Sequence, residues 1–215
     1  MSLLSATEMA DLRATGRVQR FMKGTRLLSE HQTGDRVMVL LQGRVKVVGT
    51  NADGRDMVFD FRTAGELVGE LSAIDGAPRS GSVEALDAVE VLTIAAPDFL
   101  AYLEQHPRAM LHVTRMLCRR LRDADRKLLG FAAADSTARV ATRLLELAER
   151  FGETGPEGAV TIELPLTQEE LAGWTGSSRE AVARALQTMR ELGWVHTARR
   201  RITIHDEAAL RARAA

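Results

Sequence analysis

From Pro107 to Leu129 the chain carries no glycine, room for roughly six turns of helix before Gly130. Pro107 suits a first helical turn, because the amide it lacks would be unpaired there anyway. Within this stretch Met110, Thr114, Leu117, Leu121, Ala124, Leu128 and Phe131 alternate steps of four and three. That spacing keeps one seam turned toward a partner helix. Arg115, Arg119, Arg120, Arg122, Arg126 and Lys127 clothe the other faces. The pattern predicts a helix-to-helix homodimer; the alternative is a helix laid along its own domain by the same stripe. A hinge near Asp135, which can cap a new helix, divides the chain after the rod. At 215 residues, one large domain or two small ones are both allowed.

Ahead of the rod, short apolar runs at 37–41, 45–48, 57–61, 83–86 and 89–94 are separated by glycines. Such runs predict a mostly β region, a small antiparallel sandwich or barrel, with a hairpin at Asp53-Gly54. Ser5 and Glu8 have capping-box spacing, opening a short helix with Met9 and Leu12 that would pack as a lid. Pro97-Asp98-Phe99 opens a helix just before the rod.

Composition narrows the function. Lys+Arg 29 against Asp+Glu 29 gives no net charge, so any argument for a polyanion partner must be local. The single cysteine, Cys118, can form neither an internal disulfide nor a four-sulfur metal site, and within the rod it reads as a packing residue. The five histidines are scattered without metal-ligand spacing. With no apolar run of signal-peptide or membrane-spanning length, a cytoplasmic setting is expected. No Walker loop, nucleophile elbow or paired-His motif is present, which argues against an enzyme.

After the hinge, Val140, Leu144, Leu145 and Leu147 mark the apolar face of one helix, and residues 166–186 then hold two helical patterns broken at Gly176-Ser177-Ser178. Thr167 with Glu170 forms a capping box, Gly176 supplies a turn, and Ser177 or Ser178 caps the second helix. On a wheel started at Arg179, one sector holds Ala181, Val182, Ala185, Leu186, Met189 and Leu192, the predicted core. Arg179, Glu180, Ala183, Arg184, Gln187 and Arg190 fill the other. Arginine can bond guanine O6 and N7 together, glutamate can accept from cytosine N4, and serines at a helix start favour phosphate. Residues 174–201 hold six arginines against two glutamates. Three of them, Arg199-Arg200-Arg201, would tip a β-hairpin between residues 194–197 and 202–204, a wing able to reach phosphates. The competing reading is a solvated surface helix with Glu180 serving only as a capping partner of Ser177.

A second constellation lies in the β region: Gly69-Glu70-Leu71, then Arg79-Ser80-Gly81. Glycine lets backbone amides approach an anion, Glu70 can accept from a ribose hydroxyl, Arg79 can form two bonds to phosphate, and Ser80 adds a hydroxyl donor. The set suits a nucleotide monophosphate; its structural alternative is a Glu70 to Arg79 ion pair.

On the Gly69-Glu70-Leu71 and Arg79-Ser80 cassette, and on Ser178-Arg179-Glu180 with Val182 and Arg184, the chain resembles the CRP/FNR family of bacterial transcription regulators, and within it the cyclic AMP receptor branch. The likeness covers almost the whole chain. It implies an α+β fold: a cyclic-nucleotide-binding β-roll (jelly-roll-like) at 1–106, a dimerisation helix at 107–134 and a winged helix-turn-helix DNA-binding domain at 135–215. It also implies that Glu70 binds the ribose 2′-hydroxyl, Arg79 and Ser80 the cyclic phosphate, with Gly69 and Leu71 completing the cassette. Arg179, Glu180 and Arg184 would read a TGTGA-like half-site, with Thr167, Gln168, Ser178, Arg199 and Arg200 on the same duplex. No cofactor is implied; the effector would be cyclic AMP, the partners double-stranded DNA, a second copy of the chain and RNA polymerase.

Three departures qualify the resemblance. Where the cyclic AMP branch places base-contacting hydroxyl residues, this chain has Ala124 and Asp125. Asp125 can accept from an adenine amino group or a guanine edge, so cyclic GMP, another effector or constitutive activity stay open. Gly81 stands where the family usually has alanine, which would loosen the loop. The wing tip carries no glycine.

Overall fold

The computed structural model describes residues 6–51, 54, 56–133, 135–155, 158–163 and 167–214. Contacts divide the chain into two compact units, 1–54 with 58–123, and 55–57 with 124–215.

In the first unit the apolar runs become strands within a residue or two of their expected bounds: β3 (Arg36–Gln42), β4 (Val45–Thr50), β5 (Asp56–Arg62), β7 (Ser82–Ala85) and β8 (Val89–Ala95). β1 (Gly16–Phe21), β2 (Arg26–Leu28) and β6 (Leu67–Val68) complete two four-stranded sheets, ordered β1-β8-β3-β6 and β2-β7-β4-β5. β1 with β8, β3 with β8 and β6, and β7 with β2 and β4 all pair antiparallel. Residues 37–40 are all buried because β3 is covered on both faces. Met38 and Leu40 enter the core between the sheets with Val45, Val83 and Val91. Val37 and Val39 join Leu12, Phe99, Leu103, Val113 and Met116, the core contributed by helices. Those helices are α1 (Ala6–Ala14), α3 (Ala96–Gln105) and α4 (Pro107–Ala133). Leu12 anchors α1 as the expected lid; its predicted cap Ser5, like Asp53 of the predicted hairpin, lies outside the described residues.

The rod passes straight through Gly130 and ends at Ala133. One interior glycine costs a helix only about 1 kcal/mol, too little to stop so long a segment. The rod does pack along its own domain, but through a different stripe from the predicted seam. Ala109, Val113 and Met116 are buried in the first unit. Met110, Leu121 and Leu128, on the predicted seam, are 40%, 64% and 69% exposed. Cys118, read as a packing residue, is exposed.

In the second unit Asp135 caps α5 (Ser136–Phe151), its carboxylate accepting from the amides of Thr137 and Ala138. α6 (Gln168–Thr175) and α7 (Arg179–Glu191) follow, and α8 (Glu207–Ala214), absent from the sequence reading, closes the unit. Its sheet runs β11-β12-β10-β9 from β9 (Gly152–Thr154), β10 (Val160–Glu163), β11 (Val195–Ala198) and β12 (Arg201–Ile204). Among the described residues no helix is long and apolar enough to cross a membrane.

Candidate functional site

β6 ends at Val68 and the short helix α2 (Glu70–Asp75) begins at Glu70, so the chain turns within Gly69, whose φ of 81° lies in the left-handed region. A Cβ at Gly69 would stand 2.6 Å from Arg79 Nη1 and 2.9 Å from Leu28 Cδ1. Position 69 therefore demands glycine twice over. The turn sends Glu70 inward, 2% exposed, and Leu71 outward. Arg79 returns to the same place and is 3% exposed, with Ser80 after it at the surface.

Glu70 and Arg79 do not pair with each other, so the structural alternative fails. Glu70 Oε1 accepts from Arg120 Nη1 of α4, whose Nη2 donates to the Leu67 carbonyl at 2.8 Å. Arg79 Nη2 donates to Asp35 Oδ1 at 3.2 Å and to the Arg36 carbonyl at 3.0 Å. Arg79 Nη1 is buried against Gly69 with no acceptor among the described residues. A buried donor left unpaired costs about 1–3 kcal/mol, so the site holds an unmet demand for an acceptor, and it is a cationic one. Burial pushes the Asp35 carboxyl up, but hydrogen bonds and charge from Arg36 and Arg79 outweigh it and hold the group below its ordinary range. Burial draws the Arg120 guanidinium down, opposed chiefly by the Glu70 carboxylate.

Sequence reasoning missed Asp35 and set Arg120 among the outward arginines of the rod. A signal for Arg120 existed: it continues the buried stripe Ala109, Val113, Met116 at steps of four, three and four. A lone charge on a buried stripe asks for a partner. Ala124 and Asp125 are exposed on α4 and belong to the second unit, whereas the cassette lies wholly in the first.

In the second unit the predicted caps form. Thr167 and Glu170 make a complete capping box on α6, Gly176 takes a φ of 58° at its end, and Ser178 rather than Ser177 caps α7 by accepting from the Ala181 amide. Ser177 is instead held by Arg139 of α5, whose Nη2 reaches Ser177 Oγ at 3.1 Å while its Nε donates to the Thr175 carbonyl at 2.8 Å. Arg139 thus pins the interhelical turn, a positioning role invisible in sequence. Val182, Ala185, Leu186 and Met189 are buried as expected; Leu192, past the helix end, is 55% exposed.

The opposite face sorts its charges. Arg190 Nη1 donates to Thr197 Oγ1 of β11 at 2.9 Å, and Arg201 pairs with Glu163, so both brace the wing. Thr167, Gln168, Ser178, Arg179, Glu180 and Arg184 are exposed at or near the starts of α6 and α7, and Arg199 and Arg200 are exposed at the wing tip. The backbone N–H of Glu180 and the Ser178 hydroxyl hold the Glu180 carboxyl below its usual range, keeping it an ionised acceptor. The wing turn is the two residues between Ala198 and Arg201, with Arg200 at a φ of 61°. A side chain in that region costs about 1–2 kcal/mol, so Arg200→Gly should raise stability by about 1 kcal/mol in urea unfolding while removing one exposed charge from the wing tip. Unchanged or lower stability would contradict that backbone assignment.

A β-roll with a buried Gly-Glu and Arg cassette, and in the same chain a winged helix-turn-helix, is the domain pair of a nucleotide-binding, DNA-binding regulator. Family models agree: a cyclic nucleotide-binding domain matches residues 18–106 and a Crp-like helix-turn-helix domain residues 138–213. A CRP-like cAMP-activated global transcriptional regulator of Mycobacterium tuberculosis is 32% identical over 194 residues, 90% of this chain and 86% of the relative. Among solved structures, a CRP-family transcriptional regulator from Thermus thermophilus has a TM-score of 0.77 at 27% identity, covering 91% of this chain and 96% of that one. The c-di-GMP responsive global regulator CLP of Xanthomonas campestris shares the fold, with a TM-score of 0.82 at 22% identity over 94% of this chain and all of that one. The chain belongs to the CRP/FNR family: it is a transcription regulator with cyclic nucleotide-binding and helix-turn-helix DNA-binding domains, and not an enzyme.

Proposed function

We propose that this regulator is a homodimer whose affinity for palindromic, TGTGA-like operators is set by a cyclic nucleotide, cyclic AMP in the first instance, bound at Glu70, Arg79 and Ser80. The observation that carries the reading is Arg79, a buried guanidinium with one nitrogen unpaired at the glycine turn. A cyclic phosphate entering beside Gly69 would meet that donor, the Ser80 hydroxyl and the backbone of the turn. Because Nη1 is buried, entry requires Arg79 or the turn to shift.

The same exchange accounts for regulation. A ribose hydroxyl that engages Glu70 competes with Arg120, whose buried ion pair links the cassette to α4. Loosening Arg120 alters how α4 is held against its own roll. Effector binding is thereby coupled to the arrangement of the rod, provided one arrangement binds the nucleotide better than the other. In this reading residues 1–106 sense, 107–134 dimerise and 135–215 read DNA, with RNA polymerase a further partner by family resemblance. Ala124 and Asp125 in place of hydroxyl residues favour a second version, the same DNA-binding dimer tuned to cyclic GMP or another effector, or always competent.

Arg179→Ala tests the reading face: operator affinity should fall by about 1–3 kcal/mol, with loss of preference at one base pair and nucleotide binding retained. Binding measured against single-base operator variants at fixed salt checks it. An unchanged preference at every position would assign that face to another partner.

A further inference from the structure

Met9 and Leu12 of α1, Phe99 and Leu103 of α3, and Val113 and Met116 of α4 wall a cavity of about 40 Å³ within the first unit. It has room for about three groups the size of a water molecule. Of the two polar side chains on its wall, Tyr102 already donates its hydroxyl to the Glu8 carbonyl at 2.9 Å, which leaves His112. A buried water needs about two to four polar partners, so an apolar occupant suits this space better than water does. The α4 wall also has a charged margin. Arg108, His112, Arg115 and Arg119 follow one another at steps of four, three and four, beside the buried stripe Ala109, Val113, Met116 and on the opposite flank from the predicted seam. Arg108 and Arg115 stand about one turn to either side of His112. Both are exposed, and among the described residues neither has a hydrogen bond or ion pair. At His112 an apolar cavity therefore meets a cationic strip.

We propose that this cavity is a second ligand site, for a short-chain aliphatic carboxylate of about four carbons. The tail fills the space among Leu12, Leu103 and Val113, and the carboxylate lies at His112 between Arg108 and Arg115, where its charge is matched. The site is separate from the Glu70 and Arg79 cassette and does not depend on what the cassette binds. Val113 and Met116 belong to the stripe of α4 that continues to Arg120, the partner of Glu70. A tail packed against them braces α4 on the roll, so the folded chain gains stability with occupancy.

Calorimetric titration of the full chain with acetate, propionate, butyrate and hexanoate at constant ionic strength tests it. Each methylene taken from water is worth about fourfold in affinity, so binding should strengthen about 15-fold from acetate to butyrate and gain nothing further at hexanoate, whose tail outgrows the cavity. Butyramide, of nearly the same shape without the charge, should bind about fivefold more weakly. Arg108→Gln with Arg115→Gln should erase that difference, and Ala109→Leu, which adds an isopropyl group at the cavity wall, should abolish butyrate binding. Affinity independent of chain length marks anion binding by the rod's arginines only and overturns the proposal. So does affinity still climbing at hexanoate, which puts the tail on an open surface, or a chain that gives neither heat nor a higher melting temperature with about 50 mM butyrate. Butyrate still preferred over butyramide in the double arginine variant, or bound by a folded Ala109→Leu as by the wild type, also contradicts it. Should Ala109→Leu fail to fold, the chain-length series and the arginine pair decide.

Discussion

Arg79→Ala is expected to weaken cyclic nucleotide binding by about 100-fold in a titration of the purified chain. A hydrogen bond from a guanidinium to an anionic phosphate is worth about 1.5–3 kcal/mol, and neither Ser80 nor the glycine backbone replaces the charge. The loss should exceed any loss of fold. Asp35, which would lose one of its two ion pairs and keep that with Arg36, has a side chain 58% exposed, and water can take over the freed acceptor position at a cost of about 1 kcal/mol or less. Arg79→Lys separates charge from geometry: a point ammonium cannot hold Asp35 and the Arg36 carbonyl through one nitrogen while a second meets the phosphate, and an intermediate loss of about tenfold is expected. Equal affinities in all three proteins would show that the effector's phosphate lies elsewhere.

Leu121→Asp combined with Leu128→Asp should abolish dimerisation and weaken operator binding by about 1,000-fold or more. Both leucines are mostly exposed in the single chain, on the seam face and away from the stripe that packs on the roll, so neither substitution disturbs a core formed by one copy. In a two-helix seam each aspartate would face apolar side chains, and a buried unpaired carboxylate costs several kcal/mol. A palindrome read by one head loses the second set of base and phosphate contacts, which accounts for the size of the drop. Sedimentation should show a monomer with an unchanged melting profile and intact nucleotide binding. A double variant that remained dimeric would place the interface on another surface.

What sequence made legible was chiefly what is local. Caps pair a side chain with a backbone amide two or three residues away, which is why Asp135 on α5 and Thr167 with Glu170 on α6 could be read directly. The β3 run was legible because burial on both faces leaves an unbroken apolar string. β1 carried no such mark: Arg17, Val18, Gln19 and Arg20 are all exposed, so nothing alternates. β6, of two residues, offers no period to detect, and the six-residue α2 is little longer than a turn. In the cassette Glu70 and Arg79 were visible from glycine and arginine chemistry, but their partners were not. Arg79 meets Asp35 across 44 residues and Arg120 meets Glu70 across 50, distances that only the folded roll closes.

Coupling between the cassette and the DNA-reading face is the central expectation. Allosteric coupling energies typically amount to a change of about 5- to 150-fold in affinity. The direct measurement is operator affinity of the wild-type protein at one salt concentration, without effector and with saturating cyclic AMP or cyclic GMP. At least about tenfold tighter binding with a nucleotide, lost in Arg79→Ala, is the predicted result. Identical operator affinity across all three conditions, in a protein shown by calorimetry to have bound its nucleotide, would contradict it.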